Sequence, residues 1–81
     1  MVGKRGEIRD FLRNLLRQRG DNREFSDSDS LVMSGRLESI DVLDVVVFLE
    51  TTYGVNFSDR DFDQTTLDSV DSIVAVAEQP N

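Results

Sequence analysis

The chain has 81 residues, sixteen of them acidic and nine basic, for a net charge of −7; this is enough for one small domain and too little for a second core. It contains no cysteine and no histidine, which excludes a disulfide framework, a zinc site of thiolates or imidazoles, and any nucleophile paired with an imidazole. An enzyme is therefore not expected, and the negative surface is expected to repel nucleic acid while attracting basic protein patches.

The charge is unevenly placed. Residues 1–23 carry +4 and residues 24–81 carry −11, so an acidic working surface is expected behind a basic N-terminal element. The longest apolar run, Val45 to Leu49, is five residues, far short of a membrane span. No apolar segment follows Lys4 and Arg5 to make a secretory signal. A cytoplasmic, monomeric protein without a membrane span is the expectation.

Ile8, Phe11, Leu12, Leu15 and Leu16 recur at helical spacing, which predicts a helix over about residues 4–19, stopped by Gly20. Arg5, Arg9, Arg13 and Arg17 form a second stripe, read as a solvated helix face rather than a nucleic-acid or membrane contact. Residues 20–38 form a long connection, polar through Asp29 and then apolar at Leu31, Val32, Met33 and Leu37. Loops of this length are uncommon in small domains, and the apolar half is expected to be pinned to a core.

Residues 39–53 are ambiguous. Val42, Val45, Val46 and Val47 favour a strand by propensity, whereas the uninterrupted length, the stop at Gly54 and the early Asp41 and Asp44 favour a helix; a helix is predicted. Ser58 and Asp61 suggest a short helical turn before Phe62, and Val70, Ile73, Val74 and Ala77 predict a last helix over about 69–78. The expected fold is a small all-α bundle over residues 4–79, three main helices and one short one. Its core is expected to draw on Phe11, Leu15, Val46, Leu49, Val70, Ile73 and Val74.

Two acidic clusters invite comparison with a calcium loop. Counting from Asp27 puts Asp29 and Glu38 at ligand positions, but Leu31 and Val32 fall where a ligand and the turn glycine belong. Counting from Asp59 puts Asp61 and Asp63 in place but Gln64 at the glycine and Val70 at the final glutamate. Neither loop closes, and no metal site is expected. The informative segment is Ser34-Gly35-Arg36-Leu37-Glu38-Ser39-Ile40-Asp41, which sets one serine where a long loop enters an acid-bearing helix. Taken alone, Ser39 reads as an ordinary helix N-cap.

Leu37-Glu38-Ser39-Ile40 leading into Val46-Val47-Phe48-Leu49-Glu50, then Tyr53-Gly54-Val55, Ser58-Asp59-Arg60-Asp61 and Phe62 through Ile73, resembles the acyl carrier protein family. That family carries an Asp-Ser-Leu signature at the start of the second helix of a four-helix bundle, matched here by Glu38-Ser39-Ile40. The likeness extends over nearly the whole chain, and Ser34-Gly35-Arg36-Leu37 resembles stand-alone bacterial carriers, including the D-alanyl carrier type. The resemblance implies a covalent 4′-phosphopantetheine on Ser39, installed from coenzyme A by a phosphopantetheinyl transferase. The arm's thiol would hold an acyl or aminoacyl group as a thioester, which fits a chain lacking its own cysteine. It further implies that Glu38, Asp41, Asp44 and Glu50 meet basic patches on acyl-loading and acyl-accepting enzymes, and that Ile40 and Val47 make apolar partner contacts. Glu38 in place of the usual Asp, Thr51 and Thr52 in place of acids, and Phe48 at an often small position favour a specialised carrier over a fatty-acid one. The alternative is an unmodified acidic helical module that docks on a basic protein through Asp41 and Asp44.

Overall fold

A computed structural model describes residues 3–57 and 64–78. Its order is α1 (Lys4–Gln18), α2 (Ser39–Tyr53), a one-turn 3-10 helix (Gln64–Leu67) and α3 (Val70–Glu78). The described residues form no strand, so the architecture is all-helical with three α-helices. None of these helices is long and apolar enough to cross a membrane. The short turn expected at Ser58–Asp61 lies outside the described residues, as does the Asp59–Asp63 cluster.

Helix α1 forms where the apolar stripe is densest, and it buries Ile8, Leu12, Leu15 and Leu16. It ends in a Schellman motif: Asp21 N–H donates to Leu16 O and Gly20 N–H to Arg17 O, both at 2.9 Å. Gly20 takes a φ of +83°, a left-handed turn that a side chain would strain. Helix α2 resolves the ambiguity in favour of burial over propensity. Val42, Val45 and Leu49 fall on one helical face and are all buried, a packing gain that outweighs the strand preference of valine. Gly54, at φ +69°, closes it.

Helix α3 is capped by a reciprocal pair: Ser69 Oγ accepts from Ser72 N–H at 3.2 Å, and Ser72 Oγ accepts from Ser69 N–H at 3.1 Å. It packs against α1, while α2 meets the 3-10 helix. Leu15, Leu49, Val70, Ile73 and Val74 lie in the core as expected, joined by Ile8, Leu12, Leu16, Leu31 and Leu67. Phe11 and Val46 do not: both are half-buried at its edge. Phe11 instead stacks on Phe48, with ring centroids 4.2 Å apart and planes within 12°.

The long connection is pinned, as its apolar half implies, with Phe25, Leu31, Val32 and Leu37 in the core. Polar bonds do as much. Asp68 Oδ1 accepts from the backbone N–H of Val32 and of Met33, each at 2.8 Å, and Asp68 O accepts from Leu31 N–H. The arginine stripe of α1 is only in part a solvated face: Arg5 and Arg17 are exposed, but Arg5, Arg9 and Arg13 also make ion pairs. Arg5 and Arg9 both grip Asp27, at 2.8 and 2.6 Å, and Arg5 also reaches Asp71 at 2.6 Å. The guanidinium of Arg9 lies over the Phe25 ring at 4.6 Å, so Arg5 and Arg9 tie the loop to α1. Arg36 adds a further tie to Asp21 at 3.0 Å.

Candidate functional site

The start of α2 gathers most of the residues singled out by sequence. Glu38, in extended backbone at ψ 172°, is the N-cap, and Ser39 is the first helical residue. The N-cap reading of Ser39 is thus corrected by one position. Among the backbone groups at the helix entry, the Glu38 N–H is met by Asp41, whose Oδ2 accepts it at 3.0 Å. Ser39 itself is exposed.

Asp41 also differs from its expected use. It is 7% exposed, and besides the cap its carboxylate receives Arg19 Nη1 at 3.0 Å. Arg19 Nη2 meets Glu38 Oε1 at 3.0 Å, so one guanidinium from the end of α1 bridges two acids at the entry of α2. The pairing, first of all with Glu38, raises the Arg19 pKa above the ordinary guanidinium value. Both carboxylates also sit at the positive end of the helix dipole. Asp41 therefore orients the site from beneath and offers little surface to a partner. Glu38 remains exposed, although one of its oxygens is engaged.

Asp44 and Glu50 have the opposite character. Both are exposed, and neither side-chain carboxylate has an ion pair or hydrogen bond among the described residues. Between them runs an apolar row: Ile40 at 65% exposure, Leu43 at 62% and Val47 at 56%. These stand at i, i+3 and i+7, one face of the helix. A lone exposed aliphatic is ordinary, whereas a contiguous row marks a contact surface. Sequence reasoning found Ile40 and Val47 but missed Leu43. Its signal was present, since Leu43 lies three residues after the first and four before the second. Met33, exposed at 66% in the connecting loop, was also missed, and residue type alone gave no sign of it.

Beside this row, α1 and α2 leave an open groove of about 420 Å³ lined by Phe11, Leu15 and Gln18 on one wall and Asp44, Val47, Phe48 and Thr51 on the other. The stacked Phe11 and Phe48 rings form its floor. Among the described residues no three acidic side chains converge on a point that could hold a metal ion. Compared with protein-family models, curated proteins and solved structures, the chain matches none of them.

Proposed function

We propose that the protein is an acyl carrier, with Ser39 as the attachment point of a 4′-phosphopantetheine arm and a four-helix carrier bundle in which the 3-10 helix Gln64–Leu67 belongs to the short fourth element. The reading rests on one observation. An exposed serine opens a helix that other residues cap, beside an outward face that combines apolar side chains with acids that have no partner among the described residues. Because Glu38 and Asp41 make the cap, the capping role that would otherwise explain Ser39 falls to its neighbours.

In the loading step, Ser39 Oγ bonds to the phosphorus of coenzyme A's pyrophosphate that bears the pantetheine. The bond to the other phosphate breaks, adenosine 3′,5′-bisphosphate leaves, and the hydroxyl proton passes to a base on the transferase. When bound, the arm supplies a thiol that carries an acyl or aminoacyl group as a thioester. The chain's own residues present and orient. The first-turn N–H groups of α2 favour a phosphodiester at Ser39. The Arg19 bridge fixes the angle at which the loop enters α2. Ile40, Leu43 and Val47 offer partners an apolar row, and Asp44 and Glu50 steer basic patches toward it. Catalysis is left to cytoplasmic partner enzymes, between which the carrier moves as a monomer.

The test is intact mass before and after incubation with coenzyme A, magnesium and a broad-specificity phosphopantetheinyl transferase, with Ser39→Ala as control. The expected result is a gain of one phosphopantetheine that the control lacks. Since Ser39 is not the cap, the control is expected to stay within ~0.5 kcal/mol of the parent stability. No gain on folded protein, where a known carrier is modified, would overturn the carrier reading in favour of the unmodified docking module.

A further inference from the structure

The groove between α1 and α2 begins at Asp44, more than a turn beyond Ser39, and runs to Thr51, about 10 Å along the axis at 1.5 Å per residue. It is open along its length, so it suits a side chain presented by another molecule better than an enclosed small ligand. Its floor is aromatic and half-buried, and its rim carries one carboxylate, Asp44, with no cation partner among the described residues, together with Gln18 and Thr51. Val47 belongs both to this wall and to the exposed row on α2, so groove and row form one continuous apolar surface.

Charge selects the occupant. A second copy of the chain would bring another net −7 against the acidic α2 face, and an anionic lipid surface would be repelled in the same way. We infer that the groove docks a basic amphipathic helix of a partner protein, which seats an apolar side chain on the Phe11–Phe48 floor and sets a lysine or arginine against Asp44. An apolar stripe at i, i+3 and i+7 on such a helix covers about the groove's length. The Thr51 hydroxyl already donates to Val47 O at 2.9 Å, which leaves its methyl group to the wall. This docking involves α1 as well as α2 and does not depend on modification of Ser39.

The experiment uses the full, unmodified chain labelled with ¹⁵N and two synthetic peptides of about 18 residues, long enough to hold a helix. One is a leucine–lysine amphipathic helix; the other is its scrambled isomer of equal charge. The amphipathic peptide is expected to give saturable shifts at the amides of Leu15, Gln18, Val47 and Thr51. Thr51→Arg, which places a cation at the rim, is expected to weaken binding about tenfold. Gln18→Glu, which adds an anion to the other wall, is expected to tighten it. Equal binding of the scrambled peptide would overturn the proposal by reducing it to bulk charge. Shifts confined to Ile40, Leu43 or the loop acids, or affinities unchanged in both variants, would overturn it too. Because Ser39 takes no part, a failed mass gain and a silent groove are separate results.

Discussion

Residues 20–38 hold Asp21, Asp27 and Asp29, and each has a partner inside the protein: Arg23 and Arg36 for Asp21, Arg5 and Arg9 for Asp27, and the Ser26 N–H for Asp29. The outward face of α2 holds Asp44 and Glu50, which have none among the described residues. Apolar residues divide in the same direction. The loop buries Phe25, Leu31, Val32 and Leu37, whereas α2, a regular helix, exposes Ile40, Leu43 and Val47. The irregular segment is thus built as core and the regular one as surface, and neither acidity nor hydropathy separates them. What separates them is whether a partner group lies within reach.

The sharpest way to break this comparison is to hollow out the loop. Leu31 is fully buried, so Leu31→Ala is expected to destabilise as a helical core leucine does, by about 2–5 kcal/mol. Urea unfolding measures it, and a loss below ~1 kcal/mol would return the loop to the status of a surface connection.

Next in size is Asp68. Asp68→Ala strands the N–H groups of Val32 and Met33 and is expected to cost about 1–2 kcal/mol. Burial pushes the Asp68 carboxyl up, but the bonds from Met33, Ser30, Val32 and Leu31 outweigh it and hold the pKa below the usual carboxylate range. Asp27 is held low as well, first by Arg9. A carboxylate depressed in the fold stabilises fully above its unfolded pKa, about 3.9, and loses that contribution as pH falls through the folded value. Stability is therefore expected to be flat near neutrality and to fall below about pH 4. In Asp68→Ala the acid limb of that profile should be shallower.

The sequence made much of this legible, and the remainder was hidden for physical reasons. The stripe Ile8–Leu16 and the Val70–Ala77 spacing gave α1 and α3 to within a residue, because a helix must bury one face. The run Val45-Val46-Val47 could not be sorted. Three identical residues at 100° steps end up buried, half-buried and exposed, and only the position of the neighbouring elements decides which is which. The arginine stripe was legible as a stripe, but its partners Asp27 and Asp71 lie far off in sequence. At the site, residue type located Ser39 and the acids around it. It also made Ser39 the cap, because serine is a stronger cap former than glutamate; the Glu38–Asp41 pair displaced it by joining at 3.0 Å.

Asp41 and Asp44, one turn apart on α2, set the finest test, because the family resemblance implied the same partner-facing role for both. Asp41→Asn leaves an acceptor for the Glu38 N–H but removes the charge that Arg19 faces at 3.0 Å in a nearly buried position. It is expected to cost about 1 kcal/mol of stability. Asp44→Asn touches no partner among the described residues and is expected to change stability by less than ~0.5 kcal/mol, while slowing association with a basic partner at low salt. Transferase-catalysed loading of Ser39 supplies the kinetic readout. Asp44→Asn should lower kcat/KM, and the deficit should shrink as salt screens the lost charge. If Asp44→Asn instead destabilises the fold as much as Asp41→Asn, the α2 face is structural. If both leave loading unchanged across the salt range, free charge on α2 does not guide docking, and the apolar row of Ile40, Leu43 and Val47 must hold the partner unaided.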